Sequence, residues 1–187
     1  PSFYGWYISE EVPGRLSANS DKAVSKVQQQ EIVHFFKEFQ KYVRMLAPDK
    51  PVMLATNSYQ IKDGIEVYPK LLKYLDILCP FGFHRMSDDD VSGEEAAALL
   101  QKLCDEAGAH LWMDMEAFLF GNDKELYPRP VDGLISDLKR FQNFEKILCY
   151  QFPGLFNAPW ASRKPGGEAS VKLYLDYQDY YKKQKRK

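Results

Sequence analysis

A chain of 187 residues, 45% apolar and 14% aromatic, has material for one folded domain with a real core, too little for two, and is no disordered chain. Its net charge of −1 gives no pull toward nucleic acid or an anionic membrane. No apolar run approaches the ~20 residues that span a bilayer. Cys79, Cys104 and Cys149 are odd in number and never meet at the short spacing of a metal or redox motif, so buried thiols are expected.

In chain order, strands and helices alternate. A strand is predicted over Tyr4–Ile8, followed by acid at Glu10 and Glu11. Ser20 or Asp21 then caps a long helix. Its apolar positions are Val24, Val27, Ile32, Phe35, Phe36, Phe39, Val43 and Leu46, spaced mostly by three and four as in a helix docked on a sheet. Pro48 stops it. Pro51–Thr56 is an all-apolar strand of the parallel, doubly covered kind. A short helix at Val67–Leu75 precedes the strand Leu75–Pro80.

Ser92-Gly-Glu-Glu95 has the spacing of a capping box and opens a helix that runs to Gly108. The strand Ala109-His-Leu-Trp-Met-Asp-Met-Glu116 follows, then a helix marked by Val131, Leu134, Ile135, Leu138 and Phe141, and a fifth strand Lys146–Phe152. A last helix spans Ala169–Tyr181. Residues 1–181 thus form the α/β domain and residues 182–187 a solvated basic tail.

Alternation of this kind implies a parallel sheet with right-handed crossovers. Five strands fit either a flavodoxin-like doubly wound sheet or the last five units of a (β/α)8 TIM barrel. No early loop is rich enough in Gly, Ser or Thr to cradle phosphate, which counts against the first. Counting back from Phe152 as the end of strand eight puts Glu116 at the end of strand seven and Glu10–Glu11 at the end of strand four. Carboxylates at the ends of two apolar strands need solvent, a partner or a use, and such a pair is the equipment of a glycosidase.

Acid/base on strand four and nucleophile on strand seven is the arrangement of the large retaining glycoside hydrolase clan built on TIM barrels. The chain resembles still more closely a little-characterised group of bacterial barrels, a domain of unknown function assigned to glycoside hydrolysis. The likeness lies in Gly5-Trp-Tyr-Ile-Ser-Glu-Glu-Val12, Leu75-Asp-Ile-Leu-Cys-Pro-Phe-Gly82, Leu111-Trp-Met-Asp-Met-Glu-Ala-Phe118, the strand at Tyr150-Gln-Phe152 and the Tyr-rich last helix. The resemblance implies Glu116 as nucleophile and Glu11 or Glu10 as acid/base, the position before aliphatic Val12 favouring Glu11. The clan usually has Asn before its acid/base; Ser9 or Glu10 stands there instead. It further implies three βα units preceding Pro1 and, through polysaccharide-processing relatives, an exported, periplasmic or secreted setting, against which the three unpaired cysteines point to a reducing interior.

Other candidates sit at strand ends. Asp114 shares a face with Glu116 and would orient it, bind an internal cation, or join a hydrogen-bonded network as a packing residue. His84 and Arg85 follow the third strand, with a sugar hydroxyl or the nucleophile as partner, the alternative being loop pairing with Asp88, Asp89 or Asp90; Asn57 and Tyr59 end the second strand and Gln151 the fifth, where such groups grip sugar hydroxyls. Asn157 and Trp160 share the loop beyond Gln151, and Trp160, among Pro and small residues, is an expected stacking platform. Trp6 and Trp112 are expected inside the barrel, and His34 and His110 in structural places. The Asp88–Asp90 loop lacks calcium-loop spacing. No cofactor or metal is expected. The expected partner is carbohydrate, in a retaining hydrolase or in a binding module without a productive carboxylate pair.

Overall fold

A computed structural model describes residues 2–185 other than 124 and 153. Its elements are β1 (Trp6–Val12), α1 (Lys22–Leu46), β2 (Val52–Asn57), α2 (Ile61–Gly64), α3 (Tyr68–Leu71), β3 (Ile77–Phe81), α4 (Gly93–Ala107) and β4 (His110–Glu116). They continue as β5 (Phe118–Phe120), β6 (Leu126–Pro128), α5 (Val131–Arg140), β7 (Lys146–Tyr150) and α6 (Gly167–Gln184). The main sheet runs β1-β2-β3-β4-β7, and the pairings β1–β2, β2–β3 and β3–β4 are all parallel. Main-sheet strands adjacent in chain order, with helices between them, make this a TIM-barrel-like α/β segment. The flavodoxin-like alternative is excluded, because a doubly wound sheet reverses direction after its first strand.

The chain divides into two compact units, one of residues 1–114 with 143–147, the other of residues 115–142 with 148–187. In the first, β2 and β3 are buried along nearly their whole length, with Val52, Leu54, Leu78 and Cys79 at its centre. Helix α1 starts where Asp21 accepts from the amides of Ala23 and Val24, so Asp21 and not Ser20 is the cap. Near its other end Arg44 grips both carboxylate oxygens of Asp76 at 2.6 and 2.7 Å, while Asp76 also accepts from the Val52 amide at 2.7 Å. That ties helix to sheet at the strand starts, the stability face of such folds. Ser92 caps α4 through the Glu95 amide, and Gly108 closes it in the left-handed conformation.

Three expectations about surfaces change. Along α1 only Gln29, Phe36 and Val43 are buried, a line repeating every seven residues. Val24, Val27, Phe35 and Leu46, expected against the sheet, are exposed. The apolar arc of the helix is wider than the strip of sheet it covers. Cys149, in β7, is likewise exposed. Finally, α6 carries on through Lys182–Gln184, so the helix takes in the start of the expected tail; Arg186 and Lys187 lie outside the described residues.

Burial pushes the Cys79 and Cys104 thiols from 9.0 up to about 12, helped by the negative charges of Asp114 and Asp105 respectively. Two consequences are measurable. A thiol reagent at pH 8 should titrate Cys149 quickly and the other two only after unfolding. The folded state also holds the two protons more tightly than the unfolded chain, so this contribution is complete below pH 9 and fades as pH rises toward 12. Thermal melts between pH 8 and 11 should show that loss, and Cys79→Ala should flatten it.

Candidate functional site

In the second unit the focus is Glu116, the last residue of β4 and only 3% exposed. Met115 lines a cavity of about 240 Å³ with Leu134, Cys149 and the rings of Phe152, Phe156, Tyr174 and Tyr177. Strand alternation therefore sends Glu116 to the other face of β4. The peptide that follows Glu116 is held at both of its polar atoms. Its N–H, on Ala117, donates to the Tyr150 carbonyl at 2.7 Å, and its carbonyl, on Glu116, accepts from Arg129 Nη1 at 3.1 Å. Arg129 is itself buried and gives the same nitrogen to Asp137 Oδ2 at 2.8 Å. The arginine thus has its own carboxylate partner, and what it supplies to Glu116 is a main-chain hydrogen bond.

This network was not foreseen, and neither was the antiparallel hairpin β5–β6 that brings Arg129 back beside β4. A signal was present. Asp137 lies three residues after Leu134 and four before Phe141, on the buried face of α5, where an acid demands a cation. The hairpin strands are three residues each, too short for any period to show.

Also in this unit, Trp160 is 77% exposed and meets Tyr174 edge-on with ring centroids 5.6 Å apart. Asn157 is buried. Its Oδ1 accepts from Ser170 Oγ at 2.7 Å and the Gly166 amide at 3.1 Å, a loop-fastening role. Gln151 is half-buried just past β7, and the Tyr150–Gln151 peptide is cis.

In the first unit Glu10 and Glu11 lie within β1, not after it, and both are exposed. Ile8 pairs with Leu54 and Val12 with Thr56, so β1 advances four residues where β2 advances two. Ser9, Glu10 and Glu11 are therefore the bulged stretch of the strand. A bulge re-aims side chains, which is why simple alternation does not choose between the two acids. Both border a cavity of about 420 Å³ between β1 and α1, with Glu31, Ile32 and Phe35 across from them.

Asn57 ends β2, but its Oδ1 is occupied by the amides of Gly14 at 2.8 Å and Tyr59 at 3.1 Å. Tyr59 donates to the Arg85 carbonyl at 3.0 Å, accepts from Arg85 Nη1, and carries the Arg85 guanidinium over its ring at 5.1 Å. Tyr59 and Arg85 fasten the loops after β2 and β3 to one another, while Asn57 ties the loop after β1 to the end of β2. His84 stands half-buried in the short turn 83–85, and Asp114 is half-buried in β4 beside Phe81. Asp90, from the acidic loop, caps the Gln60 and Val91 amides at 2.7 and 2.8 Å. Trp112 is buried and Trp6 half-buried; among the described residues neither buried indole N–H finds a hydrogen-bond partner, and Lys146 Nζ lies 3.9 Å above a Trp112 ring centroid. His34 is exposed on α1, and His110 pairs with Glu145 at 2.6 Å. Among the described residues no group of three or more His, Cys, Asp or Glu could hold a metal, and no helix is long and apolar enough to cross a membrane.

Parallel βα units with main-sheet strands neighbouring in chain order define a TIM-barrel-like domain. The chain belongs to the family described as "Domain of unknown function (DUF4434)", whose model matches residues 1–163. A solved structure described as a "putative alpha-L-fucosidase" from Bacteroides thetaiotaomicron is similar over 97% of this chain, with a TM-score of 0.71 and 18% identity. This chain spans 55% of that protein, about half its length. The similarity shows a common fold. No curated protein matches the chain.

Proposed function

We propose that this domain is part of a retaining glycoside hydrolase acting on an oligo- or polysaccharide, with Glu116 as nucleophile and Glu11, or else its neighbour Glu10, as acid/base. The observation that carries the reading is a buried carboxylate at the C-terminal end of a parallel strand, its following peptide held at both polar atoms. Strand C-termini are where folds of this type keep their chemistry. A retaining mechanism would have Glu116 attack the anomeric carbon while the second acid protonates the leaving oxygen; water then resolves the glycosyl-enzyme with that residue acting as base. Exposed Trp160 would stack on a sugar, with Gln151 and His84 as hydroxyl partners. The fold shared with the Bacteroides protein makes α-L-fucosides sensible first substrates.

The test is a panel of aryl glycosides that includes an aryl α-L-fucoside, with the first anomer released identified by proton NMR. Retention of configuration is the expected result; inversion would remove Glu116 as nucleophile. A second reading, a carbohydrate-binding domain without turnover, draws on the 77% exposure of Trp160 and on the exposed positions of both β1 acids. It would replace the first if sugars bind, Trp160→Ala weakens them, and no member of the panel is cleaved.

A further inference from the structure

We infer that Arg129 and Asp137 are a positioning pair for Glu116, an inference resting on the reading of Glu116 as the reacting carboxylate. The geometry is specific. Arg129 stands between Pro128 and Pro130, and its main-chain N–H donates to the Ala117 carbonyl at 2.9 Å while its Nη1 reaches back one peptide to the Glu116 carbonyl. With the Tyr150 carbonyl holding the Ala117 amide, the peptide plane next to Glu116 has no polar atom left to pivot on. Side-chain direction at Glu116 depends on that plane, because its tilt sets the backbone torsion from which the side chain leaves.

The pair is also more than surface decoration. Arg129 is 7% exposed and Asp137 2%, and Arg140 adds a second, more distant cation to Asp137 at 3.4 Å. Gly133 leaves room for the guanidinium: a Cβ there would come within 3.2 Å of Arg129 Nη2. Buried ion pairs are weak evidence of stability, since apolar residues of similar volume often do as well. What apolar residues cannot do is donate to the Glu116 carbonyl. The pair is thus suited to fixing a geometry rather than to holding the fold.

The deciding variant is the double substitution Arg129→Met with Asp137→Leu, which leaves no lone buried charge and keeps the local charge sum unchanged. Glu116 would be followed by its 13Cδ signal in glutamate-labelled protein, assigned by its disappearance in Glu116→Gln. The expected outcome is a folded protein in which the titration midpoint of that signal moves, kcat falls about 100-fold, the scale of a misplaced reacting group, and KM stays within about threefold. An unmoved midpoint with unchanged kcat would overturn the inference and leave the hydrolase reading standing. If the parent protein turns over no glycoside, the hydrolase reading fails and the carbon signal alone decides the positioning: a moved midpoint supports it, an unmoved one refutes it. Should the double variant not fold, Arg129→Lys takes its place; it keeps the charge pair, loses the planar guanidinium that sets Nη1 between Asp137 and the Glu116 carbonyl, and is judged by the same two readouts.

Discussion

Glu116→Gln is expected to abolish glycoside cleavage, lowering kcat by about 10⁴-fold or more, while the protein stays folded and still binds sugar. Glutamine has nearly the same shape, and the Arg129 and Tyr150 hydrogen bonds that hold this stretch are made to main-chain atoms the substitution leaves in place. What disappears is the nucleophile, for an amide does not attack an anomeric carbon. The acid/base should behave differently. Its removal should lower turnover by roughly 10²–10⁴-fold on natural glycosides. The loss should be much smaller on aryl glycosides whose leaving group departs without a proton. Comparing Glu10→Gln with Glu11→Gln on both kinds of substrate therefore names the acid, which the bulge in β1 hides from inspection. Equal loss on both substrate types in each variant would mean that neither residue is the proton donor. Retained turnover in Glu116→Gln would end the nucleophile assignment outright.

The fold was legible because its long elements carry strong periods. Five main-sheet strands, the Asp21 and Ser92 caps and the Gly108 stop all rest on local chemistry that tertiary structure had no reason to override. Alternation implied a parallel sheet but left its order open; the lack of a phosphate-cradling loop after an early strand is what favoured the chain-order pairing observed. Errors came where a neighbour decides the outcome. The apolar face of α1 is real in sequence, but how much of it is covered depends on what packs against it, which no residue in α1 encodes. The β1 bulge depends on the register against β2, and so the expected strand ended four residues early.

At the candidate site, residue types were legible and their employment was not. Asn57 and Asn157 look like sugar-binding amides in a sequence, yet each spends its Oδ1 on loop amides or a hydroxyl, because a chain leaving a strand must satisfy its own polar groups first. Arg129 was invisible for the opposite reason. Its importance comes from a hairpin of two three-residue strands that returns it to Glu116, thirteen positions away.

Gly14→Ala should be the most damaging small substitution in the loop that follows the β1 acids. A Cβ at Gly14 would collide with the main-chain oxygens of Tyr59 and Asn57, the second at 2.8 Å, and with Ile61 Cγ1 at 3.1 Å. Neither oxygen can step aside cheaply, since both belong to the backbone leaving β2. The glycine is also fully engaged: its N–H donates to Asn57 Oδ1 at 2.8 Å and its carbonyl accepts from the buried Tyr68 hydroxyl at 2.8 Å. Relief of the clash therefore breaks hydrogen bonds that would be left buried. Overpacking of this kind costs about 3 kcal/mol, or roughly 6–12 °C in Tm for a chain of this size. Asn57→Ala removes the acceptor without the clash and should cost about 1–3 kcal/mol for the amides it strands. Because Gly14 lies only three residues beyond Glu11, both variants should also slow any reaction that uses a β1 acid, in proportion to how far the loop shifts. A Gly14→Ala protein melting within a degree or two of the parent would mean that the loop is not packed against β2 as described, and the placement of Glu10 and Glu11 would fall with it.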